Sequence, residues 1–144
     1  MTAIEFNSKS PQYSEFSNFH PAQFVLDNHN WATVEHYFHS QKFPGDETLF
    51  EKIRTAPSPA AAKRLGKTRS PSFRTDWNEV RESIMLKALK AKFEQNPTLA
   101  ALLKSTGAAE LKERSAWDSY WGTGRTGKGQ NRMGYLLSEI RATI

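Results

Sequence analysis

The segment WDSYWGTGRTGKGQNRMG, residues 117 to 134, holds five of the chain's eight glycines, two tryptophans, one aspartate and three cations. Glycine at this density limits what can be built, because helix and strand interiors disfavour it and left-handed turns require it. Two nucleotide-binding patterns are spelled there: Gly122, Gly124 and Gly127 give G-x-G-x-x-G, and Gly122 to Lys128 gives G-x-x-x-x-G-K. The first needs a βαβ unit around it and an acidic residue about 20 positions on, whereas this sequence runs only to Ile144. The second needs Ser or Thr after its lysine to hold magnesium, and Gly129 stands in that place. What the two patterns share stays open: glycines permit positive φ and let backbone N–H groups converge on an anion beside a helix start. Asn131 is placed to N-cap a last helix through Met133, Leu136, Leu137 and Ile140. A glycine-rich surface turn accounts for the same residues without any ligand.

A chain of 144 residues is expected to form one domain, 1–144, with a core of its own. No linker, repeat or low-complexity tract divides it. With no cysteine, disulfides and thiolate metal sites are excluded and a reducing compartment fits. The start, MTAIEFNSKS, has no apolar leader-like stretch, and no run approaches a membrane span, so a soluble cytoplasmic protein is expected. Twenty Lys and Arg against 15 Asp and Glu give a net charge of +5, which suits a phosphate, nucleotide or nucleic-acid partner. The cations are spread over Lys63 to Arg74, Lys87 to Lys92 and Arg125 to Arg132, so a solvated surface explains most of them.

Ile4 to Phe6 and Gln23 to Leu26 read as short strands, and DNHN at 27 to 30 as a hairpin turn ending near Trp31. Helical patterns follow. Thr33 is set to cap a helix through Gln41, stopped before Pro44 and Gly45. Asp46 to Thr55 reads as a second helix; Ser58, Pro59 and Gly66 mark the cap, first turn and C-terminal stop of a third. The longest starts at Asp76, where Asp76 and Glu79 make an aspartate form of the capping box. Its buried stripe runs Val80, Ile84, Ala88 and Met85, Leu89, Phe93 to Asn96 and Pro97. A short helix with Leu99, Leu102 and Leu103 ends at Gly107, and Ala109 to Glu113 reads as one more strand. The expectation is an α+β fold, mostly helical, with a few short strands.

Within TVEHYFHSQKF, residues 33 to 43, Glu35, His39 and Lys42 recur at i, i+4 and i+7 and share one helix face. Glu35 and Lys42 are then separated by about 10 Å along the axis, close enough for both to reach one ligand; a solvent-facing pair on a surface helix is the alternative. The four histidines, His20, His29, His36 and His39, cluster in sequence. They do not form H-E-x-x-H and nothing completes a first coordination shell, so no metal is expected. Trp117 and Trp121 flank Asp118, where they can serve either as core and rim residues or as an aromatic wall for a planar base.

Taken together, EFSNFHP at 15 to 21, WATVEHYFHSQKF at 31 to 43 and DSYWGTGRTGKGQNRMG at 118 to 134 resemble the YbiA-like, or NADAR, proteins. That family's pattern runs SNF, a proline two positions on, W-x-T-x-E-H-Y-F-x-x-x-K-F, a central tryptophan followed by R and M, and W-G-x-G-x-x-G-x-G-x-N-x-x-G. The match covers nearly the whole chain. Phe16 and Met133 stand where leucine is commoner, and His20 where tyrosine is usual.

The resemblance implies a YbiA-like fold and an N-glycosidase without a cofactor, acting on a small phosphorylated ribosyl-base. The first expectation is hydrolysis of the aminopyrimidine ribosyl phosphate intermediates of riboflavin synthesis, releasing ribose 5-phosphate. The alternatives are removal of ADP-ribose from guanine in DNA and a non-catalytic module that binds ADP-ribose or NAD. C–N cleavage builds positive charge on the sugar, which a carboxylate steadies, while the leaving base needs a proton. Carried onto this chain, Glu35 is the first candidate for that carboxylate and Asp118 the second. Lys42 is either a cation for the phosphate or an amine that captures the opened sugar as a Schiff base, the latter requiring a lowered pKa. Asn18, Phe19, Trp31, Trp77, Arg81 and Trp121 are implied around the substrate, with Gly122, Gly124, Gly127, Gly129 and Asn131 as the loop that approaches it.

Overall fold

The computed structural model describes residues 2–144 and contains six α-helices, four short strands and one 3-10 turn. Its residues pack into two compact units, one formed by 21–96 and the other by 2–20 together with 97–144. No helix among the described residues is long and apolar enough to cross a membrane.

The 21–96 unit begins with a hairpin of β1 (Phe24–Leu26) and β2 (His29–Trp31), paired antiparallel with Phe24 opposite Trp31. Asp27 and Asn28 both adopt positive φ, at 53° and 66°. This is the backbone a two-residue hairpin turn demands, and Asn and Asp tolerate it best after glycine. Four helices follow: α1 (Val34–Ser40), α2 (Glu47–Arg54), α3 (Pro59–Leu65) and α4 (Trp77–Gln95). The first and third start where their expected caps stand, and Asp46, read as the first residue of the second helix, proves to be its cap. Thr33, Asp46 and Ser58 each accept a backbone N–H from three residues on, satisfying a donor that helix geometry otherwise leaves free. The fourth cap is a correction. Asp76 makes no capping bond; its two oxygens instead take the Arg74 guanidinium in a fork at 2.7 and 3.2 Å. In α4, Met85, Ala88, Leu89 and Phe93 are buried as patterned, whereas Val80 and Ile84 are only half-buried. The far end of α4 serves the hairpin: the Gln95 amide accepts from Val25 N at 2.7 Å and donates to Val25 O at 2.8 Å, so one side chain substitutes for a neighbouring strand.

In the other unit, β3 (Ala3–Phe6) pairs in parallel with β4 (Glu110–Glu113), Ala3 facing Glu110. The 3-10 turn Ser14–Phe16 brings Phe16 edge-on to Phe6, ring centroids 5.7 Å apart, and both rings are fully buried. The helices here are α5 (Pro97–Ser105) and α6 (Arg132–Arg141), the latter burying Met133, Leu136, Leu137 and Ile140. Its last turn is anchored by Arg141, which donates to Thr106 Oγ1 at 2.8 Å and Ala109 O at 2.9 Å. The fold is α+β, helices dominating, with the strands in two small sheets.

Candidate active site

Every residue of α1 is buried, including its polar ones. Such a helix is stable only if each polar group finds a partner inside, and the sequence supplies them. Thr33 Oγ1 accepts from His36 N and bonds His36 Nδ1 at 2.8 Å, while His36 Nε2 meets Ala56 O at 3.0 Å. Tyr37 donates its hydroxyl to Asp27 at 2.7 Å, and Ser40 donates to Tyr37 O at 2.7 Å. Glu35, 8% exposed, faces His39, 6% exposed, with Oε2 and Nε2 3.0 Å apart. The solvent-facing reading of Glu35 is thereby removed.

Helix α1 ends at Ser40, so Lys42 lies two residues beyond it, in a tightened turn where its N–H reaches His39 O at 3.3 Å. The half-buried ammonium donates to Gly66 O at 3.4 Å and sits 5.6 Å from the Trp77 ring and 5.9 Å from the Phe38 ring. Trp77, the first residue of α4 and buried, packs on Phe38 at 4.9 Å between centroids. Burial drives the Lys42 pKa down to about 8; the Glu35 carboxylate pulls against this and Lys67 and Lys63 add to it. Burial likewise holds the His39 imidazole below its ordinary value, with Glu35 opposing and Lys42 and Lys63 reinforcing. Glu35, His39, Lys42 and Trp77 therefore form one cluster: a buried carboxylate, a neutral imidazole, an amine with a depressed pKa and an aromatic wall. Arg81 lies one helical turn along α4 from Trp77 and is half-buried.

Trp31 departs from its expected place at the substrate. It is 1% exposed, gives its indole N–H to Leu26 O at 2.9 Å, and stacks edge-on with Tyr37 and Phe50; it closes the hairpin and has no face left for a ligand. Histidines engaged with Thr33, Ala56, Glu35 and, for His29, Asp27 O at 2.9 Å explain why three of the four sit where they do. Among the described residues, no group of three His, Asp or Glu side chains is arranged to hold a metal ion.

The glycine-rich segment of the other unit is folded on itself. Asp118 Oδ1 accepts from the backbone N–H groups of Tyr120 and Trp121, at 3.0 and 2.8 Å. The carbonyls of Gly122, Tyr120 and Trp121 then accept from Asn131, Arg132 and Met133 N at 3.0 Å each, and Gly129 N donates to Thr123 O at 2.7 Å. The N–H groups of Asn131, Arg132 and Met133, at the start of α6, are thus consumed by the loop. Gly124 and Gly127 hold φ of 69° and 76°, the left-handed turns that glycine alone makes cheaply. At Gly129 a Cβ would meet Gly122 O and Thr123 C at 2.7 Å, so this glycine is needed for the loop's own closure. Asn131 stands before α6 but does not cap it. Its amide accepts from Glu113 N at 3.0 Å and donates to Leu111 O at 2.8 Å, pinning the loop to β4. Trp121 is half-buried against Tyr120, whereas Trp117 is 87% exposed with the Arg125 guanidinium 5.5 Å from its ring. Asn18, 7% exposed, and the half-buried Phe19 follow the 3-10 turn of the same unit.

The NADAR domain family matches residues 5–144, a span that runs through both units. The N-glycosidase YbiA of Escherichia coli is 49% identical over 143 residues, covering 99% of this chain and 89% of that protein. The maize chloroplastic riboflavin biosynthesis protein PYRR is 38% identical over 98% of this chain, which corresponds to 25% of that longer protein. The NMR structure of E. coli YbiA superposes with a TM-score of 0.89 at 48% identity, over 99% of this chain and 84% of that one.

Proposed function

From the premise that this chain belongs to the NADAR domain family and is an enzyme of the N-glycosidase class, we propose that it cleaves aminopyrimidine ribosyl phosphates and releases ribose 5-phosphate. The observation that carries the proposal is the cluster on α1: Glu35 buried on His39, with the Lys42 amine brought down to about 8 beside it. A carboxylate kept from water steadies positive charge at an anomeric carbon more strongly than one in bulk solvent. An amine with this pKa is about one-tenth neutral at pH 7, against roughly 0.03% for an ordinary lysine. The neutral fraction is the form that attacks carbon. In the proposed sequence neutral Lys42 Nζ bonds to the anomeric carbon as the C–N bond to the base breaks, and one of its protons passes to the departing base. The C1–O bond of the ring then opens, the ring oxygen taking the second proton, to leave the sugar on lysine as an imine; water adds to the imine carbon, frees the sugar as its aldehyde and regenerates the amine. The choice of a riboflavin intermediate as substrate is supported by the part the maize relative plays in riboflavin biosynthesis.

The test is release of ribose 5-phosphate from the aminopyrimidine ribosyl phosphate, run beside release of ADP-ribose from an oligonucleotide carrying ADP-ribosylated guanine. Wild-type turnover on the first, with Glu35→Gln reduced by about 100-fold or more, is the expected result. Asp118→Asn is the second control, because an amide oxygen can accept the same two backbone bonds while the charge is lost. Turnover on the oligonucleotide alone would overturn the substrate assignment, and an unimpaired Glu35→Gln would overturn the role of the carboxylate.

A further inference from the structure

His39 occupies one of the positions that the family pattern leaves open, between the Glu35 and Lys42 it specifies. Its Nε2 lies 3.0 Å from Glu35 Oε2, and its Nδ1 is buried with no hydrogen-bond partner. An orphaned N–H in a protein interior is rarer than an orphaned acceptor, so the proton belongs on Nε2, facing the carboxylate, and the lone pair on Nδ1. The ring is held in place from the far side by Gly66, which ends α3. Gly66 has a helical φ of −63°, which any residue can adopt. A Cβ there would nevertheless run into His39 Nδ1, and would stand 2.8 Å from Cγ. The glycine is required by the imidazole, not by the backbone. The charged groups facing the ring are Glu35 on its own helix, Lys42 in the turn that follows and Lys63 on α3, and neither lysine offers Nδ1 an acceptor.

We propose that His39 is a positioning residue for Glu35 and that Gly66 is its seat: the imidazole donates its single N–H to Oε2 and fixes the carboxylate, leaving the second oxygen to the reaction. This rests on the N-glycosidase reading given above. It also explains why so short a helix as α1 tolerates a buried acid, since a carboxylate without a buried donor would be costly there.

The experiment compares His39→Leu, His39→Gln and Gly66→Ala in ribose 5-phosphate release, together with the 15N spectrum of the His39 ring in the substrate-free protein. His39→Leu is expected to lower kcat by about 10- to 100-fold with KM changed by less than about threefold. His39→Gln, whose amide keeps an N–H donor, is expected to recover most of that loss. Gly66→Ala should slow the wild type, because its Cβ would push the ring away from Glu35. The ring should show a protonated Nε2 and a bare Nδ1, a preference that Glu35→Leu, which removes the acceptor, should weaken. A wild-type kcat in His39→Leu, or a His39→Gln as slow as His39→Leu, would overturn the proposal. If the wild type releases no ribose 5-phosphate, the functional reading fails instead. The 15N pattern then decides alone: a bare Nδ1 that depends on Glu35 upholds the positioning role, and a protonated Nδ1 refutes it.

Discussion

Lys42 owes its chemistry to surroundings rather than to its own structure. A folded-state pKa of about 8 against 10.5 for the free side chain means that the unfolded chain holds the extra proton between those two values. Stability therefore rises with pH through that window, because the unfolded state binds more protons there. Below about 8 both states are protonated and the burial penalty is felt in full. Lys42→Met should abolish this rise in a series of urea titrations from pH 7 to 10. In the wild type, kcat/KM should climb with pH up to about 8, and borohydride added during turnover should attach the sugar to Lys42; an unlabelled Lys42 peptide would count against the imine. The pairing of Glu35 with His39 was legible because side chains at i and i+4 meet on any helix, whereas Lys42 joins them from the turn beyond α1 and not from the helix face that its spacing implied. The pairing of His39 with Gly66 was not legible, since nothing local links positions separated by two helices and the turns that join them.

Among the elements, α1 shows how a cap and a site share residues. Thr33 serves two bonds to His36, one to its backbone and one to its ring. Thr33→Ala is expected to destabilise the protein by about 1–2 kcal/mol, the usual range for a lost cap, with Thr33→Ser retaining most of it; equal midpoints in urea for wild type and Thr33→Ala would show the cap to be idle. Caps at Thr33 and Ser58 could be read from sequence because each bond spans three residues. Asp76 and Asn131 misled for physical reasons that sequence does carry in part. Arg74 stands two residues before Asp76 and competes for both its oxygens. Asn131 has φ of 50° and turns its amide to a strand whose sequence position is remote. The glycine-rich segment was legible as a turn and illegible as a closed one, because its carbonyls reach the first N–H groups of α6 only once the loop has folded.

At the scale of the molecule, the parallel pairing of β3 with β4 joins residues at opposite ends of the described chain, and α6 lies against β4 so closely that a Cβ on Gly134 would strike Leu111 O. Leu111, 1% exposed, sits where the two meet. Leu111→Ala should cost about 2–5 kcal/mol and should speed amide exchange in β3, β4 and the first turn of α6 together; protection lost in β4 alone would mean that these elements are not one cooperative piece. The individual strands were evident in the sequence, but their pairing was not, since hydrophobic pattern identifies a strand without naming its neighbour. The order of synthesis adds a further burden. At roughly 5–20 residues per second, β3 is made some 5–20 s before β4 exists. Throughout that interval the nascent polypeptide presents an unsatisfied strand, with Phe6 uncovered, to every other chain nearby.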